Sequence, residues 1–86
     1  MRVNDWSTPW TYADVIEVVG QAGARLDALV LPKVQSPDHI SALDLLLTQV
    51  ERTAGLEPGR IGIEAQIEDA RGLLHAAAIG GASPRM

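Results

Sequence analysis

The segment Ile61–Glu68 (IGIEAQIE) restricts the fold of this sequence most, because its side chains alternate in chemistry without a break. One parity carries aliphatic residues, and the other carries glycine, glutamate and glutamine. Successive side chains of a strand point to opposite faces, so the pattern predicts a strand with one apolar and one polar face. A (β/α)8 barrel suits such a strand better than a doubly wound sheet, since the inner face of a barrel can be polar near an active site.

The rest of the chain predicts strands and helices in alternation, which indicates βαβ units and a parallel sheet. Three strands and three helices would leave open sheet edges and a half-covered core. We therefore expect residues 1–86 to be one partial TIM-barrel domain within a larger fold. The first predicted elements are a strand stub at Arg2–Asn4, a helix from Thr11 with Gly23 as its C-cap, and a strand over Leu26–Lys33. A helix with Ser36 as N-cap and Pro37 at its first position follows and stops at Gly55. The last elements are the strand Ile61–Glu68, a helix over Ala70–Ile79, and a loop, Ser83–Met86, that leads to no further element.

Composition excludes several classes of function. The chain has 86 residues, of which 47% are hydrophobic, as is typical of a globular domain. A formal net charge of −4 with scattered basic residues argues against a nucleic-acid partner. Without cysteine, neither a disulfide nor a thiolate nucleophile is available. Neither a transmembrane run nor an apolar leader is present, so we expect no membrane partner and a cytoplasmic location.

Polar side chains are found where the predicted strands end, which is where active sites of (β/α)8 barrels lie. They are Arg2, Asn4, Lys33 and Glu68. We expect strand parity to turn each of them towards the barrel mouth. Two cations and a carboxylate meeting there would suit an anionic substrate held next to a metal ion.

Simpler roles are open for the same residues. Lys33 can be a solvated loop charge, Arg2 a disordered terminal residue, and Glu68 a cap of the following helix. The remaining polar and aromatic candidates are expected to have structural roles: Glu64 and Gln66 in a polar layer, His39 and His75 at the surface or in packing, and Trp6, Trp10 and Tyr12 as loop anchors.

Three motifs in register carry a family resemblance. Arg2-Val3-Asn4, Leu31-Pro32-Lys33-Val34 and the segment Ile67–Leu73 (IEDARGL) are similar in order and spacing to the VRVN, LPKVES and IET-x-x-G-L motifs of the HpcH/HpaI aldolase/citrate lyase family. The alanine-rich helix and Ser83-Pro84-Arg85 match the parts that follow. The resemblance covers essentially the whole chain and implies the third to fifth strands of a TIM barrel.

The resemblance also implies an activity. Members are Mg2+-dependent, homo-oligomeric lyases that cleave or form a carbon–carbon bond in 3-hydroxy acids or their CoA thioesters, such as citryl-CoA or malyl-CoA. Arg2 would then bind the substrate carboxylate or carbonyl oxygen, and Glu68 would ligate Mg2+, which makes both of them expected catalytic and substrate-binding residues. The metal ion would polarise the carbonyl and stabilise the enolate formed on cleavage.

Two departures limit that expectation. Asp69 stands where the family usually has threonine, and it would either tune the metal site or cap the helix. A second metal-binding carboxylate, expected in a Gly-x-x-Asp segment after the sixth strand, does not occur in the chain. We therefore expect residues 1–86 to be inactive alone. The alternative interpretation is a non-catalytic α/β binding or assembly module, or the product of a truncated gene.

Overall fold

Four α-helices and two strands follow one another in the computed structural model, which describes all of residues 1–86. The alternation of strand and helix predicted from the sequence is confirmed. No helix is both long enough and apolar enough to span a bilayer. The elements are α1 (Thr11–Ala22), a 3-10 turn (Gly23–Arg25), β1 (Ala28–Leu31), α2 (Pro37–Thr53), β2 (Gly62–Ala65), α3 (Ala70–Leu74) and α4 (Ala76–Gly80).

β1 and β2 form a parallel pair in which Ala28 lies opposite Gly62 and Leu31 lies opposite Ala65. The strand stub expected at Arg2–Asn4 is present as one parallel bridge between Arg2 and Val30. Only residues 1–3 lie along β1 there, which is too short a stretch for a ladder. β1 is therefore flanked by the N-terminal segment on one side and by β2 on the other.

Both strands are shorter than the sequence predicts, but their two faces are as expected. Ile61 and Ile63 are 0% and 4% exposed, whereas Glu64, which has the opposite parity, is exposed. Ile67, expected on the apolar face, is 37% exposed because it lies beyond the end of β2. The apolar side of the sheet faces the core, and the polar side carries the candidate residues.

The core is a single cluster of buried aliphatic side chains between the sheet and the helices. α2 contributes Ile40, Leu43 and Leu47, which are three and four residues apart and so lie on one face of the helix. α1 contributes Val15 and Val19 at the same spacing. This packing fixes both helices against the sheet and so fixes the positions of the loops at the strand ends.

The ends of α2 agree with the sequence prediction. Ser36 is the N-cap residue with extended backbone, and Pro37 occupies the first helical position. Gly55 follows the last turn with a φ of 77°, a left-handed conformation that favours glycine at the end of a helix. The prediction of one continuous helix over Ala70–Ile79 is wrong, because the backbone at His75 (φ −102°, ψ 12°) leaves the helical range and separates α3 from α4.

Candidate active site

A cavity of about 300 Å³ lies at the carboxyl ends of the strands and contains the four polar residues expected there. It is lined by Arg2, Asn4, Lys33 and Glu68, together with Val3, Asp5 and Pro32. We call it the mouth cavity. The structure therefore brings together side chains that are up to 66 residues apart in the chain, on the face and at the end of the sheet that the strand pattern indicates.

Arg2 and Glu68 meet at the mouth cavity across the ends of the strands. Nη2 of Arg2 lies 3.6 Å from Oε1 of Glu68, and the two side chains are 62% and 39% exposed. Nη2 also donates a hydrogen bond of 2.6 Å to Oε1 of Gln66. An ion pair this exposed adds little to stability, so its contribution is the placement of charge at the cavity.

Gln66 is a residue of the site that the sequence analysis assigned to a structural layer. It shares strand parity with Glu68, and that parity was the signal that could have placed it beside Arg2. Its hydrogen bond occupies one terminal nitrogen of the guanidinium and leaves Nη1 and Nε of Arg2 without a protein acceptor. Gln66 thus orients Arg2 while keeping two of its nitrogens available.

Lys33 reaches the mouth cavity through a backbone irregularity, and the expectation that strand parity would turn it there is wrong. Leu29 and Leu31 have the same parity as Lys33, and both are buried in the core. Lys33 itself has a φ of 54°, in the left-handed region, and its side chain is 60% exposed. The turn of the backbone, rather than the pleat, directs this side chain away from the core.

The irregularity at Lys33 is a one-residue bulge held by the backbone of Gln66. The amide of Gln66 donates to the carbonyl of Leu31 at 2.9 Å, and the amide of Val34 donates to the carbonyl of Gln66 at 2.9 Å. A regular parallel ladder would have one residue between those two partners, whereas here Pro32 and Lys33 both lie between them. Val34, fully buried, takes the core-facing position that an unbulged strand would give to Lys33.

Asp5 is a second site residue that the sequence analysis missed. Its Oδ1 accepts hydrogen bonds from the amide of Ser7, at 2.8 Å, and from the Ser7 hydroxyl. These bonds, with Lys33 as a weaker contribution against the effect of burial, lower the pKa of Asp5. Its Oδ2 lies 4.0 Å from Nζ of Lys33. The sequence signal was the Asp-x-Ser spacing, which is typical of a side chain that folds back on its own loop.

Asp69 caps the following helix, which was one of the two roles considered for it. Its Oδ1 accepts from the amide of Gly72 at 2.9 Å, and its Oδ2 accepts from Nε2 of Gln35 at 2.6 Å. The hydrogen bond from Gly72 and then that from Gln35 lower the pKa of Asp69. Glu68 therefore does not serve as the cap, and its carboxylate faces Arg2 instead.

Gly72 allows α3 to approach the bulge closely. A Cβ on Gly72 would clash with the carbonyl oxygen of Val34 and would lie 3.0 Å from Cγ2 of Ile67. Only a residue without a side chain fits between these atoms. The glycine of the predicted IET-x-x-G-L motif thus has a packing reason, namely that it holds α3 against the backbone beside the mouth cavity.

For Mg2+, which the family resemblance implies, the chain offers one accessible carboxylate at the mouth cavity. No group of three histidine, cysteine, aspartate or glutamate side chains is close enough to hold a metal ion. Glu68 has an accessible carboxylate, and Mg2+ prefers oxygen ligands, so Glu68 fits as one ligand. Asp5 accepts a hydrogen bond from Ser7, and Asp69 accepts one from the amide of Gly72 at the start of α3. Both carboxylates are therefore less available to a metal ion than that of Glu68.

A buried ionic cluster lies away from the mouth cavity and includes Arg85 of the C-terminal loop, Ser83–Met86. Arg85 is 7% exposed and Glu51 is 0% exposed. Nε of Arg85 donates to Oδ1 of Asp44 at 2.7 Å, and its terminal nitrogens donate to Glu51, to the carbonyl of Ile61 and to Thr48. This network joins the C-terminal segment to α2 and to the start of β2.

The charges of the cluster stabilise one another. Burial alone would raise the pKa of both Glu51 and Asp44, but hydrogen bonds from Arg85, supported by other donors, outweigh burial and lower both. Burial opposes the charge of Arg85, yet Glu51 and Asp44 raise its pKa. Since each group has a protein partner, the cluster has a structural role and offers no free ligand.

Some of the aromatic and histidine side chains anchor loops by hydrogen bonds, and others lie at the surface. The indole of Trp6 donates to the carbonyl of His39 at 2.9 Å, so Trp6 anchors its loop as expected. Nδ1 of His39 accepts from the amide of Gln35 at 3.3 Å, which is a packing role. Trp10 and Tyr12 are 59% and 62% exposed, so the prediction that they are anchors is wrong.

Comparisons with known proteins agree on one family. The family described as HpcH/HpaI aldolase/citrate lyase matches residues 1–86. The chain is 40% identical to the L-malyl-CoA/beta-methylmalyl-CoA lyase of Cereibacter sphaeroides and 35% identical to the citrate lyase subunit beta of Leuconostoc mesenteroides subsp. cremoris. Each alignment includes the whole chain but only 27% and 28% of those relatives, so the chain spans about a quarter of their length.

A comparison of folds also matches nearly the whole chain. The crystal structure of RipC from Yersinia pestis superposes on 99% of this chain with a TM-score of 0.74 and 29% sequence identity. The superposed part is 35% of the RipC chain. The arrangement of residues 1–86 is therefore that of one segment of a longer α/β protein.

Proposed function

Because the chain belongs to the HpcH/HpaI aldolase/citrate lyase family, we propose that it is a segment of a Mg2+-dependent carbon–carbon lyase acting on 3-hydroxy acids or their CoA thioesters. The observation that carries the proposal is the meeting of Arg2 and Glu68, 3.6 Å apart, at the carboxyl ends of parallel strands. Relatives named as malyl-CoA lyases and as a citrate lyase subunit indicate the class of substrate.

Arg2 is proposed to bind the carboxylate or carbonyl oxygen of the substrate. A guanidinium is planar and presents paired N–H donors that match the two oxygens of a carboxylate. Gln66 holds one terminal nitrogen, and the remaining nitrogens are directed to no protein acceptor. This arrangement orients the acid without competing for the donors that bind it.

Glu68 is proposed as one ligand of Mg2+ and as a residue that contacts the substrate through that site. When bound, Mg2+ would polarise the carbonyl oxygen of the acid that undergoes cleavage. Oε1 of Glu68 lies 3.6 Å from Nη2 of Arg2, which places the carboxylate beside the proposed substrate-binding residue. No three potential ligands lie together in the chain, and the other cavity carboxylate, Asp5, is bonded to Ser7, so the remaining ligands are proposed to come from outside residues 1–86.

The position of the segment in the parent barrel is also a proposal. Residues 1–86 would form one partial domain of that barrel. The N-terminal segment would belong to its third strand, β1 to its fourth and β2 to its fifth. The carbonyl of Arg85 accepts from the amide of Ile63 at 3.0 Å on the outer edge of β2, where a sixth strand would begin. We also propose that the parent enzyme is a homo-oligomer and is located in the cytoplasm.

A graft tests the proposed function. The matching segment of the Cereibacter sphaeroides lyase is replaced by residues 1–86, and cleavage of L-malyl-CoA with Mg2+ is measured by release of the oxo acid. We expect the graft to cleave the thioester, because residues 1–86 supply Arg2 and Glu68 and the rest of the lyase supplies the ligands that this chain lacks. A graft that folds and assembles like the parent enzyme but shows no Mg2+-dependent cleavage would reject the proposal.

A further inference from the structure

We propose that Lys33 is a substrate-binding residue whose ammonium group, directed by the one-residue bulge, binds a carboxylate of the acid in the mouth cavity. This inference rests on the proposed function and deepens it, since it assigns a second cation to recognition of the anionic substrate. Three features of the structure carry it: the backbone conformation of Lys33, its lack of a hydrogen-bond partner, and its place in the cavity.

The backbone conformation is the first feature. Lys33 is the one non-glycine residue with a positive φ, 54°, a conformation that costs free energy for a residue with a Cβ. Glycine would adopt it more readily, yet the chain has lysine at this position. The bulge is held on both sides by the backbone of Gln66, so the side chain is aimed by fixed structure and not by a free loop.

The unsatisfied ammonium is the second feature. Nζ of Lys33 donates no hydrogen bond within the protein, and its nearest carboxylate oxygen, Oδ2 of Asp5, is 4.0 Å away. Asp5 already accepts two hydrogen bonds from Ser7 through its other oxygen. Lys33 therefore has donors available at the cavity, while Asp5 supplies a fixed negative charge that limits its motion.

The cavity is the third feature and indicates the kind of ligand. Lys33 and Arg2 both line the same volume of about 300 Å³, which is large enough to hold a small organic acid. Glu68 faces Arg2, so the two cations are not equivalent: Arg2 lies beside a carboxylate ligand, and Lys33 lies on the side of Asp5. An acid with two carboxylates could contact one cation with each of them.

Binding of free L-malate to the 86-residue chain, without metal, tests the inference. The dissociation constant is measured by amide chemical shifts of the isotope-labelled chain at constant ionic strength, for the wild type and for Lys33→Met. Met keeps the unbranched side chain and removes the charge, so we expect binding to weaken about tenfold. Lys33→Arg should retain most of the affinity. Lys33→Gly, which suits the positive φ, should lose affinity without loss of fold.

The controls separate this contact from net charge and from the proposed lyase activity. Arg52→Gln removes an exposed cation from the last turn of α2 and should leave malate binding unchanged. Unchanged binding in both Lys33→Met and Lys33→Gly would overturn the inference, as would the absence of malate-dependent shifts in the wild-type chain. Shifts with inorganic pyrophosphate but not with malate would also overturn it, since they would assign Lys33 to the diphosphate of a CoA thioester. Failure of the graft with intact malate binding would reject the lyase proposal alone.

Discussion

The buried guanidinium of Arg85 donates hydrogen bonds to both carboxylate oxygens of Glu51, with donor–acceptor distances of 3.0 and 2.5 Å. The two residues are 34 positions apart, and neither is exposed by more than 7%. The amides of Gly59 and Ile61 donate to the same carboxylate at 2.9 Å each. The pair thus joins α2, the turn before β2 and the C-terminal segment in a single buried contact.

Removal of Arg85 should destabilise the chain strongly. Arg85→Met leaves the Glu51 carboxylate buried with two amide donors and no counter-charge, and breaking a buried pair in this way costs about 3–5 kcal/mol. Urea unfolding followed by circular dichroism measures the change. Arg71→Met, which removes an exposed cation, should alter the free energy of unfolding by less than about 0.5 kcal/mol. Equal urea midpoints for wild type and Arg85→Met would contradict the burial of the pair.

Acid should weaken the fold through the same cluster. The folded pKa values of Glu51 and Asp44 lie below their ordinary values of 4.5 and 3.8, so the unfolded chain takes up protons first as the pH falls. The stabilisation is therefore complete above those ordinary values and is lost as the pH drops through the folded pKa values. We expect the free energy of unfolding to decrease as the pH is lowered from about 5.

A matched pair of variants assigns that acid dependence. Glu51→Gln cannot lose a charge on acidification, so its unfolding free energy, although lower at neutral pH, should depend less on pH than that of the wild type. Glu57→Gln removes an exposed carboxylate from the loop before β2 and should keep the wild-type dependence. An identical pH profile for Glu51→Gln and the wild type would show that the cluster does not control acid stability.

Substitution of Gly72 should disturb the packing of α3 against the bulge. In Gly72→Ala the new Cβ would meet the carbonyl oxygen of Val34, a backbone atom that can move only with its strand end. We expect a loss of about 1–3 kcal/mol in unfolding free energy. Gly80→Ala is the control, because a Cβ on Gly80 meets nothing within 4 Å and should stabilise α4 by up to about 1 kcal/mol. Stability changes of the same sign in both variants would refute the close approach.

Local pattern was sufficient to predict the parts of the fold that depend on neighbours in sequence. The start of α2 at Ser36 and Pro37 and its stop at Gly55 were predicted from capping preferences. The two faces of β2 were predicted from alternation. The meeting of Arg2 and Glu68 followed from strand parity together with the rule that parallel strands end at one edge. In each case the determining signal lies within a few residues.

The features that were missed depend on distant contacts. Nothing local marks Arg85 as buried, because an arginine after Ser83-Pro84 has the pattern of a surface loop and its partners Asp44 and Glu51 are 41 and 34 residues away. Strand parity predicts the correct cavity for Lys33 but for the wrong reason. The side chain is directed there by the bulge, which depends on the hydrogen bonds of Gln66 to Leu31 and Val34. The break at His75 carries no glycine or proline signal.

The isolated chain should not catalyse the proposed reaction. Glu68 is a single free carboxylate, and one such ligand with water holds Mg2+ weakly. Incubation of the 86-residue chain with L-malyl-CoA or citryl-CoA and Mg2+ should therefore give no product above the uncatalysed rate. Sustained turnover by the purified chain would show that residues 1–86 contain a complete site, contrary to the assignment of missing ligands.

The proposed lyase site depends most on the carboxylate of Glu68, and replacement of this residue within the active graft tests its role most directly. Glu68→Gln keeps the shape of the side chain and removes the charge that would bind Mg2+. We predict that Mg2+-dependent cleavage of L-malyl-CoA falls by at least about a hundredfold, while Glu57→Gln in the same graft cleaves like the unmodified graft. Cleavage by the Glu68→Gln graft at the unmodified rate, with unchanged dependence on Mg2+, would contradict the claim that this residue is a metal ligand of the site.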